Sequence, residues 1–174
     1  MGVMGSVPVA RNRLVEWSLV AAAIITLALA FAYYASRVRG QGELAAIRLT
    51  VGALRSTLAV EDLRQKVPQA APSTATTPDN PFDLLRQRPG NYRGEAPDAQ
   101  SASALATPGN WVFERACVCI AYRPLDTRWL DSPSGDVLLW FYVLGPQGHK
   151  QTSNHGPLQL VAREAYRWQG QLIE

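Results

Sequence analysis

Residues 14–35 read LVEWSLVAAAIITLALAFAYYA, and residues 36–66 continue SRVRGQGELAAIRLTVGALRSTLAVEDLRQK. The first stretch is apolar on every side, with one carboxylate, Glu16, near its start. From Trp17 through Ala35 no charge occurs. About 19 residues rising 1.5 Å each span roughly 28 Å, close to the hydrocarbon thickness of a bilayer. The second stretch holds no proline and is apolar on one side only. Leu44, Ile47, Val51, Leu54 and Leu58 recur at steps of three and four residues, which lines them up on one helical face. Arg48, Arg55 and Glu61 fall off that face. Together the two stretches predict one long stem helix over residues 14–66, closed by Pro68. Its first half is transmembrane and its second half amphipathic. Gly40 and Gly42 sit at the junction, and each weakens a helix by about 1 kcal/mol relative to Ala. A bend or loosened turn is expected there.

The flanks agree with a membrane segment. Trp17 at one end and Tyr33 and Tyr34 at the other suit the two interfacial belts. In residues 1–39, Arg11, Arg13, Arg37 and Arg39 oppose only Glu16, which accounts for the whole net charge of +3. The rest of the chain is neutral, so the sequence pI of 9.1 reflects the membrane flanks and not a nucleic-acid surface. The apolar run is longer than the 7 to 15 residues of a signal-peptide core, and no small-residue cleavage site follows it. Instead the helical pattern goes on, which predicts an uncleaved single-pass anchor, with residues 1–13 a leader-like cytoplasmic segment. The opening MGVMGS fits a loose myristoylation pattern that a membrane helix makes redundant. Chemistry alone leaves Glu16 two readings. It snorkels at the interface beside Arg13, or it meets a positive partner from another chain.

Residues 67–79 are small, rich in Pro and Thr and without apolar period, a linker by composition. Residues 80–174 form the head. Asn80 followed by Pro81 predicts a capped short helix, ended by Pro89 and Gly90. Residues 93–108 read as loop. Strands are expected over residues 111–115, 117–123, 137–144 and 158–163, all rich in β-branched and aromatic residues. The run VLLWFYVL at 137–144 is apolar on both faces and reads as central. GPQG at 145–148 turns the chain round, and Tyr166, Arg167 and Trp168 are expected to pack back on the sheet. The fold class is α+β: the long N-terminal helix packed, through its stripe, on a small antiparallel sheet of about four strands.

Little in the head points to catalysis. Phosphate-binding and dinucleotide-binding glycine patterns and the HExxH helix are lacking. Cys117 and Cys119, two apart on an expected strand, project to one face, where a disulfide between them strains the geometry. They read as two small buried residues. Combined with His149 and His155 they make the one conceivable metal set, and C-x-C followed by H-x5-H is not a zinc spacing. Ser153 beside His155 has no further group to make a nucleophile. The expectation is therefore no enzyme, no metal and no cofactor.

The N-terminal pattern (basic residues, a hydrophobic helix with a lone Glu near its start, an amphipathic continuation and a small sheet) resembles a type IV pilin or type II secretion pseudopilin. The head stretches NPFDLLRQRPGNYRGE, PGNWVFERACVCIAYRP and AYRW are similar to bacterial pseudopilin-like proteins of mannose-sensitive pilus and general secretion operons. The resemblance implies a structural subunit of the bacterial inner membrane, with its N-terminus cytoplasmic and its head periplasmic. It implies membrane lipid, other pilin or pseudopilin subunits and secretion-platform proteins as partners. It also implies an assembly role for Glu16 as the fifth mature residue, and a prepilin peptidase cutting between Arg11 and Asn12. In the family, Gly precedes the cut and an aromatic residue or Met follows it, so Arg11 and Asn12 depart from the pattern. The alternative is a non-polymerising single-pass adaptor of the same machinery, binding partners through its head.

Overall fold

Helix α1 (Val9–Lys66) is continuous in the computed structural model, which describes residues 9–66, 80–144 and 158–173. The linker expected at 67–79, the turn at 145–148, and Ser153, His149 and His155 lie outside the described residues. The chain divides into two compact units between Gln41 and Gly42, at the pair of glycines. The loosened turn expected there is absent, because α-helical pairing runs through both glycines. A weak residue inside a long helix is carried by the cooperativity of the turns on either side.

In the first unit the large apolar side chains of the described residues are uncovered. Leu14, Trp17, Leu27 and Phe31 are each 72–75% exposed. Among the described residues this one helix is long and apolar enough to cross a membrane.

In the second unit the stripe is fully used. Leu44, Ile47, Val51, Leu54 and Leu58 are 0–3% exposed and join one core with the sheet. The sheet has five strands in the order β1-β2-β3-β5-β6. They are β1 (Tyr92–Ala96), β2 (Asn110–Glu114), β3 (Cys119–Arg123), β5 (Leu139–Leu144) and β6 (Gln159–Ala162). The run from β2 to β6 is the expected antiparallel meander, with β5 between β3 and β6. Alternation divides its side chains between two cores. Trp111, Phe113, Ile120, Tyr122 and Phe141 face the stripe of α1, whereas Val112, Cys119, Ala121 and Trp140 face Ala102 and Ala106.

Three features correct the expectation. The sheet is mixed and five-stranded, because β1 pairs parallel to β2 at one edge. The segment read as loop at 93–108 supplies most of that strand and also helix α2 (Ala99–Leu105). Strand β1, YRGEA, has no apolar alternation; its register shifts between Tyr92 and Glu95, around Gly94 with φ of 118°. Helix α2 is short and depends on its cap, where the Asp98 carboxylate accepts from Ser101 N–H at 2.8 Å. The third correction is a small second sheet of two-residue strands, β4 (Leu130–Asp131), β7 (Arg167–Trp168) and β8 (Gln171–Leu172). Tyr166 and Trp168 do pack inward as expected, both fully buried. The Tyr166 hydroxyl accepts from Trp140 N–H at 3.0 Å, and burial pushes its phenol up to about 12.

Candidate assembly surface

The first unit offers a surface built for an apolar surrounding. The serine and the threonine of the apolar run turn back on the helix. Ser18 donates to the Val15 carbonyl and Thr26 to the Ala22 carbonyl, both at 2.8 Å. No side-chain donor of these residues is left to an apolar neighbour, as lipid or a packed helix requires. Glu16 stands exposed among these residues, and Arg13 makes no ion pair with it among the described residues. Arg11 and Asn12, the processing position implied by the resemblance, lie inside α1. The carboxylate therefore faces outward from its own chain.

The second unit contains a glutamate of opposite fate. Glu43 is 8% exposed, and its Oε1 accepts from the Tyr122 hydroxyl at 2.7 Å and from Leu125 N–H at 2.8 Å. Burial and this carboxylate together push the Tyr122 phenol well above its ordinary range. Glu43 Oε2 is buried with no hydrogen-bond partner among the described residues. Glu43 ties the start of the amphipathic half to β3 and to the chain that follows it. The sequence does not single it out. Its position four residues before Ile47, on the stripe side, was the available signal.

The head stretches that carry the resemblance prove to be joints of this fold. Asn80 accepts from Phe82 N–H at 3.0 Å, as a cap should, opening a 3-10 turn over Pro81–Leu84. Its amide also donates to the Tyr92 hydroxyl at 2.8 Å and to Glu95 at 2.9 Å. Arg115 donates to the other Glu95 oxygen at 2.6 Å. The Asn80 bond, then the Arg115 bond, hold the Glu95 carboxyl below its ordinary range. Asn91 donates to the Gly109 carbonyl at 2.8 Å and accepts from Trp111 N–H at 2.9 Å. Gly109 has φ of 78°, and a Cβ there would meet Leu125 at 2.9 Å, so Pro108-Gly109 needs its glycine.

At the free edge of β6, Arg55 of α1 donates to the Leu160 carbonyl at 3.1 Å and Asp62 accepts from Leu158 N–H at 3.4 Å. Two helix side chains thus occupy edge groups that otherwise invite another strand. The cysteines correct the expectation of two separate buried thiols. Cys117 and Cys119 are joined as a disulfide. Residues 115–118 form a turn, so Cys117 is not on the strand and can reach across Val118.

A comparison with protein-family models, curated proteins and solved structures found no match.

Proposed function

We propose that this chain is a structural, non-catalytic subunit of a pilus or type II secretion pseudopilus, assembling through its N-terminal helix. The observation that carries the reading is the uncovered apolar surface of the first unit, with Glu16 set in it and unpartnered within its own chain among the described residues. Lipid accepts such side chains, and so do the helices of neighbouring subunits. A carboxylate in the same place is costly unless a positive group meets it. The arrangement thus suits a helix that moves from lipid into a bundle. On this reading the membrane is the bacterial inner membrane, with the N-terminus cytoplasmic and the head periplasmic. The partners are membrane lipid, other pilin or pseudopilin subunits and secretion-platform proteins.

A second reading, a non-polymerising adaptor of the same machinery, is favoured by Arg11, which stands where the family's peptidase finds Gly. Two measurements separate them. Mass spectrometry of the N-terminus, with and without prepilin peptidase, reads whether residues 1–11 are removed. Cross-linking from position 27 reads what the first unit touches. The subunit reading expects homotypic cross-links that vanish in Glu16→Ala while membrane extraction stays unchanged. Cross-links to other proteins alone would leave the adaptor, and unchanged homotypic cross-links in Glu16→Ala would remove the assembly role of that residue.

A further inference from the structure

The hairpin joining β2 to β3 closes on the pair Glu114 and Cys119 and turns through residues 115–118. Val118 N–H bonds the Arg115 carbonyl at 3.3 Å, and Val118 takes φ of 53°. That left-handed conformation suits glycine or asparagine, and a β-branched residue there is an outlier. Cys117 and Cys119 flank this residue and are bonded to each other. A disulfide closing so short a loop gains the least from chain entropy, so stapling the fold is a poor explanation for it. The two residues are also unequal, Cys117 being half-buried and Cys119 only 1% exposed.

A third group completes the cluster. Glu114 is 5% exposed, and its Oε2 lies 3.2 Å from Cys117 Sγ. Burial, and next the charge of Asp98, push its carboxyl above the ordinary range, with Arg163 acting the other way. The carboxyl therefore keeps its proton to higher pH than an ordinary glutamate. A bonded sulfur has no proton to give, whereas a Cys117 thiol can donate to Glu114 across the same contact.

We propose that Cys117 and Cys119 form a thiol–disulfide exchange pair, with Cys117 the entry sulfur, Cys119 the leaving sulfur and Glu114 the proton relay. The co-reactant is a dithiol. One of its thiolates attacks Cys117 Sγ; the intramolecular S–S bond breaks, and its electron pair leaves on Cys119. The second thiolate of the co-reactant then attacks its own sulfur of the mixed disulfide, which frees Cys117 as thiolate and oxidises the dithiol to a disulfide. Cys117 takes its proton from Glu114. The two protons lost by the dithiol replace that one and protonate Cys119, so the pair gains two electrons and two protons. The hairpin itself stays in place through the β2–β3 ladder and the bond from Val143 N–H to the Val118 carbonyl at 3.1 Å. This inference is independent of the assembly reading.

The test uses the full chain in detergent micelles, equilibrated with glutathione at graded redox ratios. Maleimide labelling with intact mass counts thiols, and tryptophan fluorescence follows the fold. The expected result is a reversible passage between no and two labelled thiols with fluorescence unchanged. In single-cysteine chains, Cys119→Ser should form the glutathione mixed disulfide at least about tenfold faster than Cys117→Ser. The wild type should show an inflection in exchange rate against pH, and Glu114→Gln, with both cysteines, should lose it. Two thiols persisting in oxidised glutathione, or a disulfide that opens only when the head unfolds, overturns the pair. Equal rates in the single-cysteine chains overturn the assignment of Cys117 as entry sulfur, and an unaltered pH profile in Glu114→Gln overturns the relay.

Discussion

The two halves of helix α1 hold similar side chains and meet opposite environments. Leu27 in the first is 73% exposed, and Leu54 in the second is 0% exposed. Each half also opens on one glutamate. Glu16 is uncovered, whereas Glu43 is buried and bonded to Tyr122 and Leu125. Apolar content alone does not tell which residues a chain will cover with itself. The distribution does. A helix that is apolar all round cannot be covered by one sheet and needs lipid or several neighbours; a helix with one apolar stripe is satisfied by a single packed face.

The sharpest way to break this contrast is to truncate one leucine in each half. Leu54→Ala removes a fully buried side chain and should destabilise the head by about 2–5 kcal/mol. Leu27→Ala should leave the same transition unmoved. Thermal unfolding of the detergent-solubilised chain, followed by the near-UV signal of the buried tryptophans, reads both. A matching loss in Leu27→Ala would mean that the first unit is covered by the chain itself.

A smaller effect is expected from the glutamates. Glu43→Ala leaves the Tyr122 hydroxyl and Leu125 N–H without their acceptor, and should cost the head about 2 kcal/mol. The buried, unbonded Oε2 limits that loss, because removing it relieves a buried polar atom without a partner. Glu16→Ala should change neither the unfolding midpoint nor the denaturant slope. Equal midpoints for the two variants in urea would dissolve the distinction between a structural and an outward-facing carboxylate.

How much of this was legible follows from the same physics. The stripe from Leu44 to Leu58 was readable because helical period is imposed by geometry, and each of its members is buried. The antiparallel meander was readable because β2, β3 and β5 are apolar enough to be recognised without their partners. Strand β1 was not, since Tyr92, Arg93, Gly94 and Glu95 sit on an edge and carry no alternation. The two-residue strands β4, β7 and β8 are too short for any period, and exist because Trp168 is buried beside Trp129, with ring centroids 5.9 Å apart. At the candidate surface, Glu16 was visible as the one charge in an apolar run. The Cys117–Cys119 bond is not legible, because residue 117 reads as strand, where its side chain would be fixed on the sheet face.

The smallest expected effect carries the contrast between like residues in unlike surroundings onto two paired strands. Glu95 of β1 and Glu114 of β2 lie one register position apart, Glu95 opposite Phe113 and Ala96 opposite Glu114. Asn80 and Arg115 hold the Glu95 carboxyl below its usual 4.5, so its ionised form is favoured by folding. Its stabilising contribution is complete above pH 4.5 and disappears as pH falls through the lowered folded value. Glu114 is shifted upward by burial and by Asp98, so folding favours its protonated form. That contribution is complete below its usual 4.5 and is lost as pH rises through the raised folded value. Glu95→Gln should therefore flatten the acid limb of melting temperature against pH, while Glu114→Gln should stabilise the head at neutral pH relative to wild type. Parallel profiles for the two variants would show that Asn80 and Arg115 do not distinguish these carboxylates, and that burial on the sheet alone governs both.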